Sequence, residues 1–224
     1  MKKCLVISLF FLFTVSLFSQ SNSSLIVGLG PNKMSGDIGG DNFGSLFKND
    51  FGIGSTLAYR FVFPFNVGLR VYGDYEYYRG KDSKVNNGRK WDFTSSVGSL
   101  GGQLEYVIYG NNYLEKQIPH SVYLFGGAEK IFYNALFNGL TNVNTKGNTT
   151  GLFAGMGYQY RFSDNLSVGL ELKQTLYQSD KVDGYFPDPA LVNNRYDDMA
   201  FTTKIIVCYN IPIYSGPKHW DIDD

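Results

Sequence analysis

Cysteine is nearly missing from this chain of 224 residues, with Cys4 close to the start and Cys208 close to the end. Once the N-terminal segment is removed one cysteine remains, so no internal disulfide can form, and Cys208 is expected to be a small packed residue. Histidine is as scarce: His120 and His219 are the two present. Both fall outside any Ser-His-acid set at an outer rim, where a membrane-barrel enzyme would need its base, so no catalytic residue is expected. No glycine-rich phosphate loop follows a strand and no zinc-ligand spacing occurs, so no cofactor or metal is expected. Asp180, Asp183 and Asp188 lack the regular rhythm of a calcium loop and are read as solvated acids. The closing HWDIDD is read the same way, as an exposed acidic tail rather than a metal site. Net charge is missing too. Lys plus Arg and Asp plus Glu are 20 each, which gives no sign of a nucleic-acid partner. No small-molecule substrate is expected. After residue 24 no apolar run is long enough to cross a bilayer as a helix, so any membrane crossing must use a closed barrel.

What the chain does have begins with MKKCLVISLFFLFTVSLFSQ, a positive start, an apolar core and a small-residue stretch. That is the pattern of a secretory signal peptide, assigned to residues 1–21. Cys4 precedes the apolar core, so it is no lipoprotein anchor. Roughly 200 residues remain, enough for one domain. They are rich in Tyr (17), Phe (18) and Gly (26), in short alternating runs, which points to an all-β chain.

LSVGLELKQTL, residues 166–176, shows the alternation plainly. Leu166, Val168, Leu170, Leu172 and Leu176 share one face; Ser167, Gly169, Glu171, Lys173 and Thr175 share the other. The same period predicts eight strands, near 25–35, 49–61, 66–78, 93–108, 121–134, 149–162, 166–179 and 199–210. In the fifth, Glu129 and Lys130 are adjacent, so one of them must face the wrong way or lie near a rim. Connections after strands two, four and six are shorter than the others, which end with the 180–198 stretch. Short turns on one side and longer loops on the other are the habit of outer-membrane barrels, and an even strand count puts both termini in the periplasm.

The aromatic residues decide which face is wet. Tyr59, Phe61, Tyr106, Tyr160, Phe162 and Tyr209 fall at one set of strand ends; Tyr75, Tyr77, Phe132, Tyr177 and Phe201 fall towards the other. Two belts suit two membrane interfaces, whereas a soluble sandwich or lipocalin-like barrel would carry more charge outside. The expected fold is an eight-stranded antiparallel transmembrane β-barrel over residues 22–210, in contact with outer-membrane lipid. A periplasmic tail, 211–224, follows it. The polar face then lines the interior, where Arg60, Arg70, Arg161, Lys173 and Lys204 would pair with Asp74, Glu76, Glu105, Glu129 and Glu171 as a structural plug. Gly68, Gly101, Gly155, Gly157 and Gly169 would make room for the long side chains.

Several segments resemble a known family. FTSSVGSLGGQLEYVIYG (93–110) is similar to a serine-containing strand that runs into a Gln-x-Glu-aromatic end. HSVYLFGGAEKIFYN (120–134) is similar to "PYLFAGIG…FYFN", and GLELKQTLYQSDKVDGY (169–185) to "GLE…TFTDYLDDV" with Asp180 and Asp183 at the acidic positions. With VGLGPNKMSGDI (27–38) and the GLR of strand three, the likeness to the PorG-like proteins of Bacteroidota covers most of the mature chain. NALFNGLTNVNTKGNTT (134–150), read as the third loop, departs from that pattern because it lacks a tryptophan-containing segment. The resemblance implies an outer-membrane component of the type IX protein secretion system, holding a periplasmic PorK–PorN ring at the membrane to support protein export and gliding motility. The contacts would lie on the periplasmic surface, at Tyr113 and His120 around the 110–120 turn and at Tyr214, His219 and Trp220 in the tail. A small stand-alone outer-membrane barrel, adhesin or narrow porin, is the alternative.

Overall fold

The computed structural model describes residues 22–35, 52–63, 66–81, 91–110, 118–139, 142–179, 181–184 and 198–211. They form eight antiparallel strands: β1 (Asn22–Ser35), β2 (Gly52–Val62), β3 (Val67–Lys81), β4 (Asp92–Gly110), β5 (His120–Asn138), β6 (Asn142–Arg161), β7 (Leu166–Tyr177) and β8 (Met199–Ile211). Each pairs with its neighbours in sequence, and β8 pairs with β1, so the sheet closes into a barrel. The expected all-β, eight-stranded antiparallel barrel is the fold observed, with β8 reaching one residue past the expected end.

The strands tilt as they close. Stepping across paired residues from Ser24 through Arg60, Arg70, Gln103, Gly127, Phe153 and Thr175 leads to Ala200, ten residues from Asn210, the residue on β8 that pairs with Ser24. A shear of this size over eight strands makes a narrow barrel whose interior has room for side chains only. Both ends of the paired chain, Ser23 and Ile211, meet at one rim, called here the terminal rim. Phe63 and Asn66, at the two ends of the β2–β3 connection, and the turn 162–165 lie at this rim. Phe63 N–H donates to the Val67 carbonyl at 2.8 Å, and Asn66 takes a positive φ of 65°, a conformation Asn tolerates better than most residues. A bulge between Val107 and Tyr109 leaves Ile108 and Tyr109 both facing outward there.

The burial pattern assigns the faces. Outward rows are apolar and exposed, such as Leu100 and Leu104 on β4 (64% and 62%) or Leu152, Met156 and Tyr158 on β6. Inward rows on the same strands are buried and largely polar. In strand five Glu129 is buried and Lys130 exposed, which resolves the ambiguity of that pair.

Three differences from expectation stand out. Residues 134–150 are mostly strand, not loop: β5 runs on to Asn138 and β6 begins at Asn142, leaving three residues between them. The long connections at the far rim therefore number three, after β1, β3 and β7. Tyr177 lies near the outer strand ends as placed, but it faces inward and is buried, bonded to Tyr78, and so is no part of an outer aromatic belt.

Candidate functional site

The lumen holds two ionic clusters, one above the other. Towards the terminal rim, Glu105 sits between two arginines, with Arg70 Nε at 2.5 Å and Arg60 Nη1 at 3.5 Å. Arg70 Nη1 also reaches Glu171 at 2.7 Å. Neutral partners complete the set: Gln103 Nε2 donates to Glu105 at 2.9 Å, Arg60 donates to Gln159 at 3.2 Å, and the Tyr123 hydroxyl donates to Glu171 at 2.6 Å. Nearer the far rim, Lys173 bridges Asp74 (3.1 Å) and Glu129 (2.8 Å), while Lys204 bridges Asp74 (2.9 Å) and Glu76 (3.3 Å). The Tyr72 hydroxyl and the Ser99 hydroxyl donate to Glu129 at 2.7 and 3.1 Å, and Thr202 donates to Glu76 at 3.3 Å. Lys173 Nζ also lies 4.9 Å from the Tyr72 ring centre and 4.7 Å from that of Phe153.

Nine of the ten residues expected in the lumen network are thus brought together: Arg60, Arg70, Asp74, Glu76, Glu105, Glu129, Glu171, Lys173 and Lys204. Arg161 is the correction. It has the inward parity, but it ends β6 at the terminal rim, half-buried and below the clusters. Without it the nine comprise four cations and five carboxylates. The hydroxyls supply the difference: Glu76 accepts from Tyr78 and Thr202 as well as pairing with Lys204. A buried carboxylate surrounded by donors needs fewer counter-charges. These neutral members lie on the same alternating row as the charges, which is the signal in the sequence that marks them.

Between the clusters lies a cavity of about 20 Å³, lined by Thr56, Arg70, Asp74, Glu171, Lys173 and Lys204 among others. That is room for about one water, which such a polar lining would hold. Above the upper cluster the interior turns apolar. Phe93, Val97, Ile131, Tyr133, Ala135, Phe137 and Tyr177 pack with Met34 and Ala200, and Tyr78 hydrogen-bonds Tyr177 at 3.0 Å. Val182, from the chain after β7, is fully buried in this cap. Its N–H and that of Asp183 donate to Asp198 Oδ2 at 3.0 and 3.2 Å. Asp183 is buried rather than solvated, while Asp180 and Asp188 lie outside the described residues.

Apart from Gly68, which lies against Glu105 as expected, the glycines do a different job from the one expected. Tyr72 covers Gly101, Tyr123 covers Gly157, Phe125 covers Gly155, Phe153 covers Gly127, and each aromatic is the direct cross-strand partner of its glycine. They leave room for rings rather than for charged chains, and the rings fill the lumen beside the ions. Gly68 abuts Glu105 and Gly169 abuts Ile206.

At the terminal rim His120 is exposed, with its Nδ1 2.5 Å from the Tyr158 hydroxyl and its ring 5.1 Å from Tyr160. A small recess beside it is lined by Ile118, Ser121, Gln159, Arg161 and Ser167. Tyr113, Tyr214, His219 and Trp220 lie outside the described residues. Cys208 is free and fully buried at 0% exposure, packed near Ile26 and Ile206. Among the described residues no group of His, Cys, Asp and Glu has the arrangement of a metal site.

A closed eight-stranded ring, greasy outside and ionic inside, is the architecture of a protein whose solvent is lipid, and the family comparison agrees. A model for the outer membrane protein beta-barrel domain matches residues 6–203. The chain belongs to that family. It is an outer-membrane β-barrel protein. Among solved structures, it is similar to a major outer membrane protein of Thermus thermophilus, with 14% identity over 86% of this chain and all of that one (100%) at a TM-score of 0.52. It also resembles the attachment invasion locus protein Ail of Yersinia pestis, with 19% identity over 85% and 99% of the two chains and a TM-score of 0.49. Neisserial surface protein A matches at 16% identity over 84% and 97%, with a TM-score of 0.47. No curated protein matches the chain.

Proposed function

We propose that this barrel is an outer-membrane component of the type IX protein secretion system. In this reading its termini and short turns face the periplasm, where it holds a PorK–PorN-like ring at the membrane to support export and gliding. The filled lumen is the observation that carries the proposal. Two ion clusters and an apolar cap occupy the interior, so the barrel transports nothing through itself and acts through its surfaces. The PorG-like sequence segments supply the identity of the system. The exposed His120, Tyr158 and Phe162 at the terminal rim, beside the 110–120 turn and the 211–224 tail, supply a periplasmic face rich in the residue types that anchor interfaces. Two of the three terminal-rim connections are short and three of the four far-rim ones are long, which supports the orientation.

Affinity purification from detergent-solubilised outer membranes tests it. Ring proteins should co-purify with the intact chain and be lost when 212–224 is deleted. Their absence from the intact chain's eluate, with the barrel folded, would remove the secretion role.

One observation favours a second reading, a stand-alone barrel acting as an adhesin. The β5–β6 hairpin continues past the apolar belt, with Asn134, Leu136, Asn138, Asn142, Asn144, Lys146 and Asn148 on its outer face, a surface ready to meet a partner outside the cell. Deleting 134–148 should abolish cell attachment and spare secretion if this reading holds. The narrow-porin variant predicts current steps in planar bilayers, and a filled lumen predicts none.

A further inference from the structure

Arg161 is the inward-facing cation that neither ion cluster uses. Arg60 and Arg70 balance Glu105 and Glu171 in the lower cluster, so Arg161 adds one uncompensated positive charge at the terminal mouth of the barrel. Among the described residues no carboxylate pairs with it, and Asp164 in the next turn has interactions of its own. A guanidinium presents its donors in a rigid fork whose best match is a carboxylate or a phosphate.

The surroundings of Arg161 favour the same kind of group. The recess it lines also takes in Ser121, Gln159 and Ser167, on the inward rows of β5, β6 and β7, with Ile118 and Pro119 as an apolar lip. Both hydroxyls can donate, and the Gln159 amide oxygen already accepts from Arg60, which leaves its NH2 to offer. No acid lines this recess. At about 10 Å³ it admits the tip of one side chain. Its polar walls belong to inward rows, so it faces the lumen mouth and not the surrounding lipid.

The chain carries a matching segment within reach. DIDD, residues 221–224, places three carboxylates in four residues. The tail that bears it leaves β8 at Ile211, at this same rim. Pairing sets Arg161 level with Ser167 and Cys208, two strands from β8 and three residues short of Ile211. At ~4.8 Å per strand and ~3.3 Å per residue, about 14 Å separates the Arg161 and Ile211 backbones. Ten residues lead from Ile211 to Asp221, an extended reach of ~33–36 Å, so the acids meet the recess with slack. Tethering also raises their local concentration to roughly the millimolar range. The 111–117 segment at the same rim offers one acid, Glu115, beside Lys116.

We propose that the acidic end of the C-terminal tail docks in this recess, with a carboxylate of Asp221, Asp223 or Asp224 paired to Arg161, and lies across the terminal mouth of the barrel. The tail is then part of the rim surface. This holds whichever side of the membrane the rim faces and whatever the tail meets there.

Tryptic release of the segment after Lys218 reads the docking. The mature full-length barrel in neutral detergent is digested beside the free 212–224 peptide, and release of HWDIDD is followed by mass spectrometry. The intact chain should release it about tenfold more slowly than the peptide does, the protection that one charge-assisted pair confers. Arg161→Gln should bring release to the peptide's rate. The D221N/D223N/D224N variant should do the same, measured against a peptide of its own sequence. Combining the two changes should add nothing further, because both remove one interaction. Folding is checked by the heat-modifiable gel mobility of barrels. Should Arg161→Gln fail to fold, the triple variant, which leaves the barrel untouched, carries the test. Release from the intact chain at the peptide's rate overturns the proposal. So does slow release that survives Arg161→Gln, the result of a tail shielded by the micelle, and so do effects of the two changes that simply add. No ring protein is present in this assay, so its outcome is separate from that of the secretion reading.

Discussion

Strand β5 passes through two surroundings and changes its manners between them. From Val122 to Ala128 the outward row is Val122, Leu124, Gly126 and Ala128, while the buried row carries Tyr123, Phe125 and then Glu129. Beyond Lys130 the buried row becomes Ile131, Tyr133, Ala135 and Phe137, and asparagines enter the outward one. β6 mirrors this, with Leu152, Ala154, Met156 and Tyr158 outward in one half and Asn144, Lys146, Asn148 and Thr150 in the other. One half is greasy outside and ionic within; the other is wet outside and apolar within. The backbone, the pairing and the alternation are continuous. Only the solvent differs, and it decides which row carries the charge.

The largest effect should come from breaking the ionic half. Glu105→Ala leaves Arg60 and Arg70 buried with one neighbour fewer each, and about 3–5 kcal/mol should be lost, read as a lower midpoint for urea unfolding in lipid vesicles. The apolar half should respond to truncation through a different cause. Phe93→Ala opens a cavity in the cap and should cost about 3–5 kcal/mol in the same assay, with no dependence on the ion pairs below. Next comes a direct test of the two outsides. Leu170→Arg, near the middle of the apolar belt, should cost about 2–4 kcal/mol, whereas Asn148→Arg on the projecting hairpin should stay within about 0.5 kcal/mol. Equal penalties at both positions would erase the distinction. Smallest among the lumen changes should be Gly157→Ala, where a methyl group meets the Tyr123 ring; displacing that ring from Glu171 should cost about 1–3 kcal/mol.

The same contrast explains what can be read from the sequence. Within the belt the apolar row keeps one parity, so strands such as β7, with Leu166, Val168, Leu170 and Leu172 outward, announce themselves and their facing at once. In 131–150 an apolar row appears on the inner side while the outward row mixes asparagines, Lys146 and Thr150 with Phe132 and Leu136, so the period-two signal fades and the segment resembles a polar loop. Nine lumen charges are legible by parity alone. Arg161 is not, because parity says which way a side chain points and nothing about its height, and height depends on register and shear. The inward Tyr177 defeats the belt assignment for a related reason: a tyrosine near a strand end suits an interface and a capped interior equally well. The pairing of aromatics over glycines needs the cross-strand register, which no single strand contains.

The ion pairs have a consequence for assembly. Lys173 of β7 meets Asp74 of β3, Arg70 of β3 meets Glu171 of β7, and Lys204 of β8 meets Asp74, so the partners face one another across the ring rather than along adjacent strands. A half-built, open sheet can make every hairpin and still leave Glu171 and Lys204 without these counter-ions, facing hydrocarbon. Closing the seam between the first and last strands neutralises them together. Incomplete rings are thereby penalised in a membrane, and insertion is driven towards a single concerted step.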